Sequence, residues 1–381
     1  MNVLIYGDSE SSPELRHEIP LAITDAFLYL EAGERRAVLT NALEDARIAQ
    51  ATPDVERVLI EALGWDQLIA EGRSRTVAEH ELCVRAVAAL GIEAASVPPD
   101  FPLGLADRLR RAGVRLVPDE AIFRTRRRRK TPAEMAGIRR AAHVASEAMA
   151  HARRMLRDAQ IHAAGLVLDG EPLTAENLRA SIRDVCARAE APAPADIIVK
   201  AAGPNAAIGH DSGTGPLPAH IPIEIDLWPR DERSGCWADM TRTFVRGEIS
   251  DSIARVHAVV LEAHERACNA VAPGVQGVAL YDLACDVFEA AGHPTQRTKA
   301  PGETLREGFY FELGHGVGLE VHEPPELGRG ATDPLIAGDV IAVEPGTVLS
   351  GVGGTRVEDL LIVTQEGSER LTGDFPYHLV A

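Results

Sequence analysis

The sequence of 381 residues lacks any apolar run long enough to cross a membrane. Residues 1–8 also lack the basic segment and cleavage site of a signal peptide, and they are predicted to form a first β-strand. The five cysteines are odd in number and widely spaced, and no two of them form a CxxC pair. We therefore expect reduced thiols in a cytoplasmic protein, and neither disulfides nor a thiolate metal site.

An excess of positive charge is lacking too, because the formal net charge is −18. Binding to nucleic acid requires a basic surface that can contact phosphates, so nucleic acid is excluded as a partner. A single basic run occupies residues 124–130. In such an acidic chain, this run is predicted to be a solvated connector between domains.

The length of the chain and its apolar content allow two domains of ordinary size. No GxGxxG motif follows Tyr6, so a dinucleotide site has no support. Thr131 is a suitable N-cap for a helix with Pro132 at its first position, which places a domain boundary near residue 130. Residues 1–130 are predicted to form a small α/β domain, with strands near residues 3–6, 27–30, 36–39 and 113–117 and helices at residues 59–63 and 79–90.

Residues 131–381 are predicted to form an α+β domain, in which helices cover an antiparallel sheet. After the helix that begins at Thr131, further helices are expected at residues 174–189, 251–271 and 278–291. Thr174 is not expected to complete a capping box with Asn177. The segments between and after these helices are predicted to be strands.

Five potential metal ligands lie in the last part of the chain. Each is an ionisable side chain inside or beside a short β-type segment, where an unpaired charge is unfavourable. Four carboxylates that converged would repel one another strongly unless cations neutralised them. The five residues are Asp226, Asp239, His315, Glu344 and Glu358.

Four carboxylates and one imidazole form an oxygen-rich ligand set. It suits a pair of divalent ions better than one structural zinc, with Mn²⁺ as the first candidate and Co²⁺, Fe²⁺ or Zn²⁺ as alternatives. Two such ions, bridged by carboxylates and hydroxide, catalyse hydrolysis. The sequence therefore predicts a dinuclear metallohydrolase.

The segments around these residues resemble metallopeptidases of family M24, which have the pita-bread fold and include Xaa-Pro aminopeptidases and prolidases. The proline-directed branch is most similar to residues 314–325 (GHGVGLEVHEPP), 343–346 (VEPG) and 351–359 (GVGGTRVED). Residues 202–210 (AGPNAAIGH) resemble a segment that supplies a substrate-binding histidine. Several motifs in the same order are more specific than any single one. The resemblance is strong from residue 130 onward, and the N-terminal part weakly resembles the creatinase/prolidase N-terminal domain.

The resemblance implies a role for each ligand. Asp226 would chelate one metal ion, and Asp239 would bridge both. His315 and Glu344 would hold the second ion, and Glu358 would provide another bridge.

The resemblance also implies a mechanism, in which a metal-bridging hydroxide attacks the scissile carbonyl. Glu344 would be the general base and proton shuttle. His210 and His322 would hydrogen-bond the substrate carbonyl and the oxyanion. Arg356 is either an orienter of a ligand carboxylate or part of a structural ion pair.

Three departures from the family pattern affect the expected substrate. Asp226 and Asp239 are thirteen residues apart, a longer spacing than is usual in the family. Glu326 stands where prolidases often have an arginine for the substrate carboxylate, and Phe311 replaces a frequent histidine. Repulsion between Glu326 and the carboxylate of a dipeptide predicts a preference for longer peptides.

The predicted protein is a cytoplasmic, homodimeric Xaa-Pro aminopeptidase acting on peptides with proline at the second position. One alternative is a prolidase-type Xaa-Pro dipeptidase. Another is a creatinase-like hydrolase or lyase acting on a small molecule that is not a peptide. A non-catalytic binding module is the third, but such modules typically lose ligands, and this chain retains all five.

Overall fold

The structure is a computed structural model that describes residues 2–206 and 209–381. The chain divides into two compact units. The N-terminal unit consists of Met1–Arg127 and Arg233–Gly235, and the C-terminal unit of Arg128–Glu232 and Cys236–Ala381. This division supports the domain boundary near residue 130, which stays a proposal.

The N-terminal unit contains one mixed sheet and several helices. Its strands are β1 (Val3–Gly7), β2 (Phe27–Ala32), β3 (Arg35–Thr40), β4 (Glu56–Leu59), β5 (Ala94–Val97) and β6 (Arg115–Pro118). They are arranged in the order β4-β3-β2-β1-β5-β6, with antiparallel pairs in the centre and parallel pairs towards both edges. The helices are α1 (Pro13–Glu18), α2 (Asp45–Ala51), α3 (Trp65–Ala70), α4 (Arg75–Ala89), α5 (Leu103–Arg111) and α6 (Glu120–Arg128).

The central strands of this sheet are buried on both faces. Leu28 and Leu30 of β2 pack on one side with Leu82 of α4. Tyr29, between them in the sequence, packs on the other side with Leu15 of α1. Successive side chains of a strand point to opposite faces, so a continuous apolar run is what a strand covered on both sides requires.

The predicted helix at residues 59–63 is wrong. Leu59 is the last residue of β4, which pairs in parallel with β3, and only a short 3₁₀ turn follows at Glu61–Leu63. Gly64 ends this turn in the left-handed conformation, with φ of 94°. The apolar spacing favoured a helix, but pairing with β3 overrides such a local preference.

The basic run at residues 124–130 is less solvated than predicted, because residues 124–128 lie in α6 and several arginines of the run make ion pairs. Arg126 contacts Glu31 at 2.6 Å within the N-terminal unit. Arg128 contacts Asp339 at 2.6 Å within the C-terminal unit. Each of these arginines has an acidic partner far away in the sequence, which the charge pattern alone could not reveal.

The C-terminal unit contains antiparallel sheets and long helices. The helices are α7 (Pro132–Asp158), α8 (Ala175–Arg188), α9 (Asp251–Asn269) and α10 (Gly277–Ala290). The strands are β7 (Gln160–His162), β8 (Gly165–Leu168), β9 (Glu171–Pro172), β10 (Ile198–Ala201), β11 (Ile223–Leu227), β12 (Met240–Phe244), β13 (Gly314–Gly316), β14 (Glu323–Leu327), β15 (Val340–Val343), β16 (Gly346–Leu349), β17 (Gly353–Arg356), β18 (Asp359–Val363) and β19 (Ser368–Arg370).

Two of these sheets carry the predicted ligands. One has the order β10-β11-β12, and the other has the order β14-β13-β15-β18-β19. Helices α7 and α8 pack in one apolar cluster with β10, β11 and β12. Helices α9 and α10 pack in a second cluster with β14, β15 and β18.

The helix starts follow capping rules, with one correction to the predictions. The side chain of Thr131 accepts a hydrogen bond from the backbone of Glu134 and Pro132 occupies the first turn, as predicted for α7. Thr174 and Asn177 do form a capping box at α8, contrary to the prediction. The Asn177 amide oxygen accepts the backbone N–H of Thr174 at 2.9 Å, as a glutamate or glutamine would.

The five cysteines are free and buried. Within residues 2–206 and 209–381, no helix combines the length and the apolar composition that a membrane crossing needs.

Candidate metal centre

Strand register brings the first two predicted ligands to one face of their sheet. Strands β11 and β12 are antiparallel, and Asp226 lies opposite Thr241. Asp239 precedes Thr241 by two residues, so it shares the face of Thr241 and therefore that of Asp226. Thr241 donates a hydrogen bond to Glu358 at 2.8 Å, which brings a third carboxylate to this face.

A second set of strands positions the other three ligands. His315 lies opposite Ala342 in the β13–β15 pair, and Glu344 follows Ala342 by two residues on the same face. The backbone N–H of Glu344 donates to the Leu313 carbonyl at 2.8 Å. In the β15–β18 pair Val343 lies opposite Asp359, so Glu358 and Glu344 stand next to each other at the strand ends.

The side chains positioned by these two groups of strands line one cavity of about 290 Å³ in the C-terminal unit. Ligand atoms of Asp239, His315 and Glu358 lie within 4.8 Å of one another. The His315 Nε2 atom is 3.5 Å from Glu344 Oε1 and 3.9 Å from Asp239 Oδ2. The other predicted ligand, Asp226, also lines the cavity. The structure therefore brings together all five side chains from five separate stretches of sequence.

The electrostatics of this cluster favour bound cations. Burial raises the pKa of the Asp239 carboxyl well above its usual range, and the neighbouring Glu358 and Asp226 raise it further. Burial likewise raises the pKa of Glu344 to about 7, although the nearby Arg356 opposes this shift. Carboxyls that resist ionisation because they are buried together become good ligands once cations supply the missing positive charge.

The imidazole of His315 is prepared to bind a metal ion. Burial, with a smaller contribution from His322, lowers its pKa to about 4, so the ring is neutral at pH 7. Its Nδ1 atom lies 3.1 Å from the Gly316 carbonyl oxygen, which can only accept a hydrogen bond. This contact puts the proton on Nδ1 and leaves the lone pair of Nε2 facing the carboxylates.

Arg356 contacts two of the predicted ligands. Its guanidinium is hydrogen-bonded to Asp226 Oδ2 and lies 3.3 Å from Glu344 Oε2. Each contact uses one oxygen of a carboxylate and leaves the other oxygen for a cation. Both predicted roles of Arg356 fit these contacts, because Arg356 also lies 3.4 Å from Glu224, which is not a predicted ligand.

The two predicted catalytic histidines also line the cavity. The ring centroid of His322 is 4.2 Å from that of His315 in an edge-to-face arrangement. Both His210 and His322 are exposed, so a substrate could reach them. Residues 207 and 208, in the segment predicted to supply His210, lie outside the described residues.

Sequence reasoning missed several residues that shape the site. Asp196 and Trp228 line the cavity. Arg242 is 1% exposed and donates to the Glu358 carbonyl at 2.5 Å and to the Asp359 carboxylate at 2.8 Å. A charged residue in the middle of the strand-like segment Met240–Phe244 (MTRTF) was the available signal for Arg242.

Glu326 does not lie where the predicted preference for longer peptides requires it. It is an exposed residue of β14 and is not among the residues that line the cavity. Repulsion of a dipeptide carboxylate by Glu326 therefore has no support in the structure.

Comparisons with known proteins agree on one family. The sequence profile of Metallopeptidase family M24 matches residues 136–365. The Xaa-Pro dipeptidase of Pyrococcus furiosus is 36% identical over 137 residues, which are 35% of this chain and 35% of that protein. The chain thus matches about a third of the length of such curated relatives.

Solved structures match over nearly the whole chain. The Xaa-Pro dipeptidase from Bacillus anthracis has a TM-score of 0.80 at 23% identity, covering 100% of this chain and 94% of that one. The X-Pro aminopeptidase from Thermotoga maritima has a TM-score of 0.76 at 23% identity, covering 99% and 97%. At this identity the likeness concerns the fold, and the predicted α+β pita-bread fold is confirmed.

Proposed function

The chain belongs to metallopeptidase family M24, and on this premise we propose that it is a dinuclear metal-dependent peptidase that cleaves Xaa-Pro bonds at peptide N-termini. The observation that carries the proposal is the convergence of Asp239, His315 and Glu358 on one cavity, with Asp226 and Glu344 in its wall. The name of the Pyrococcus furiosus relative supports proline as the second residue of the substrate.

The ligand assignment is part of this proposal. Asp226, Asp239, His315, Glu344 and Glu358 would hold two divalent ions, with Mn²⁺ as the first candidate. The chemistry of the donor set fits, because four carboxylates and one neutral imidazole balance two double charges. When bound, the ions supply Lewis acidity and a lowered pKa for the attacking water.

Proton transfer and stabilisation of the oxyanion would be carried out by side chains that line the cavity. Glu344 would accept a proton from the nucleophile and deliver it to the leaving nitrogen. His322 and His210 would donate hydrogen bonds to the substrate carbonyl and to the developing oxyanion. Burial, with a further contribution from His210, lowers the pKa of His322, so its ring would act as a neutral donor.

The length of the preferred peptide is the open part of the proposal. The aminopeptidase prediction depended on Glu326, which does not line the cavity. The Xaa-Pro dipeptidase alternative is favoured by the name of the Pyrococcus furiosus relative. A homodimer and a cytoplasmic location stay predictions.

One experiment tests both the metal-dependent cleavage of Xaa-Pro bonds and the preferred length of the peptide. Hydrolysis of Ala-Pro and Ala-Pro-Ala is measured with purified protein, with and without added Mn²⁺, and Ala-Ala-Ala serves as the control. We expect Mn²⁺-dependent release of alanine from at least one proline peptide and much slower cleavage of Ala-Ala-Ala. Faster cleavage of Ala-Pro than of Ala-Pro-Ala would assign a dipeptidase, and no cleavage of either peptide would refute the proposed function.

A further inference from the structure

Asp196 is an acidic residue of the cavity wall that the ligand set does not use. It is exposed and lines the cavity together with the predicted ligands. The nearby cation Arg356 is already engaged with Asp226 and Glu344. Among the residues that the structure describes, the Asp196 carboxylate has no ion-pair partner. A ligand with a positive charge would therefore find an available carboxylate at this position.

The strand pairing indicates where Asp196 lies in the fold. In the β10–β11 pair, Ile198 lies opposite Asp226. Asp196 precedes Ile198 by two residues and Trp228 follows Asp226 by two, so both residues lie just beyond the same end of this antiparallel pair. Both also line the cavity that contains Asp226.

Trp228 supplies the apolar part of this subsite. Its side chain is half-buried, packs against the apolar cluster of α7 and α8, and also lines the cavity. The methylene groups of a long side chain can pack along an indole ring, and a cation over its face is attracted electrostatically. An aromatic wall beside a free carboxylate is thus complementary to arginine or lysine.

Resting on the proposed peptidase function, we propose that Asp196 and Trp228 bind a basic side chain on the N-terminal residue of the peptide substrate. The scissile carbonyl must lie at the metal ligands, and the α-ammonium group is only two covalent bonds from it. The guanidinium of an arginine side chain is several bonds further away, which matches the position of Asp196 in the cavity wall beyond the end of the β10–β11 pair. The subsite therefore selects Arg-Pro and Lys-Pro over neutral residues before proline.

Citrulline tests the charge, because it has nearly the same shape as arginine but is neutral. With the Mn²⁺-loaded protein, we expect kcat/KM for Arg-Pro-Ala to exceed that for citrulline-Pro-Ala by about 5-fold, a typical effect for one exposed ion pair with a cation–π contact. The difference should lie mainly in KM and should shrink at high salt, because exposed charges are screened.

Binding of the free amino acids provides a readout that needs no turnover. Calorimetry on the same Mn²⁺-loaded protein should give a Kd for arginine about 5-fold lower than that for citrulline. Asp196→Asn should bring both the Kd ratio and the kcat/KM ratio close to one. Glu171→Gln is the matched control: it removes the charge of an exposed residue of β9 outside the cavity lining and should keep both ratios.

The outcomes separate this inference from the proposed function. Equal binding of arginine and citrulline by the wild type would overturn the subsite, even if Ala-Pro-Ala is cleaved. If Asp196→Asn instead lowers kcat/KM for Arg-Pro-Ala and citrulline-Pro-Ala by the same factor, Asp196 does not recognise the side chain and the inference is wrong. Tighter binding of arginine that depends on Asp196, in a protein that cleaves no proline peptide, would uphold the subsite and refute the peptidase.

Discussion

Replacing Arg242 by methionine should destabilise the C-terminal unit strongly. Arg242 is 1% exposed, and its guanidinium donates to the carbonyls of Thr241 at 2.9 Å, Glu358 at 2.5 Å and Thr372 at 3.0 Å. It also pairs with the Asp359 carboxylate at 2.8 Å. Methionine fills much of the same space but leaves these buried acceptors without a donor.

The size of the expected loss of stability depends on the hydrogen bonds that Asp359 keeps after Arg242 is replaced. Removing one partner of a buried ion pair typically costs about 3–5 kcal/mol. Asp359 keeps hydrogen bonds from the hydroxyls of Thr372 at 2.9 Å and Tyr377 at 2.5 Å, which favours the lower end of that range. At about 2–4 °C per kcal/mol, the expected fall in Tm is roughly 10 °C.

Thermal unfolding followed by circular dichroism measures this change. Arg139→Met is the matched control, because Arg139 pairs with Glu369 at 2.5 Å on the surface, where both side chains are 45% exposed. An exposed pair contributes about 1 kcal/mol at most, so the control should melt within a few degrees of the wild type. If Arg242→Met melts together with Arg139→Met, the buried network contributes little and the reasoning is refuted.

Three further predictions concern the metal centre. The protein loaded with Mn²⁺ should contain about two ions per chain by elemental analysis, and Asp239→Asn should lose both, whereas a wild type with one tightly held zinc would contradict the dinuclear centre. His315→Ala should contain less metal than the wild type and lose activity as a consequence. His322→Ala should keep its metal while kcat falls by roughly 10²–10³. Loss of metal from His322→Ala but not from His315→Ala would reverse their roles. Because its pKa is raised to about 7, the Glu344 carboxyl favours the folded state of metal-free protein at low pH, and this stability is lost as pH rises to about 7. Between pH 5 and pH 8, metal-free wild type should therefore lose more Tm (or gain less) than metal-free Glu344→Gln, and the same pH dependence of Tm in both proteins would contradict the shift.

Periodicity and capping predicted much of the fold. The helices of the C-terminal unit begin and end close to the predicted residues, because a cap such as Thr131 and a following Gly or Pro act locally. The segment at residues 59–63 was assigned wrongly because its conformation depends on pairing with β3, a partner distant in the sequence. Local patterns carry no information about such a partner.

For charged side chains too, local sequence patterns are informative, whereas partners that are distant in the sequence are not visible. The five residues proposed as ligands could be selected from the sequence because a carboxylate such as Asp226 inside an apolar strand needs a compensating charge. The partners of Arg126 and Arg128 could not be found, because Glu31 and Asp339 become neighbours only through the fold. A run of charges therefore says little about solvation until its partners are known.

The unusual spacing of Asp226 and Asp239 shows why ligand position can be independent of loop length. The register of β11 and β12 pairs Asp226 with Thr241, and this pairing alone places Asp239 on the same face. The extra residues lie in the connection at residues 229–235, where closing a somewhat longer loop costs little free energy. A departure in the number of connecting residues therefore leaves the face of each carboxylate unchanged, whereas a shift of one residue in the strand register would turn Asp226 away from the cavity.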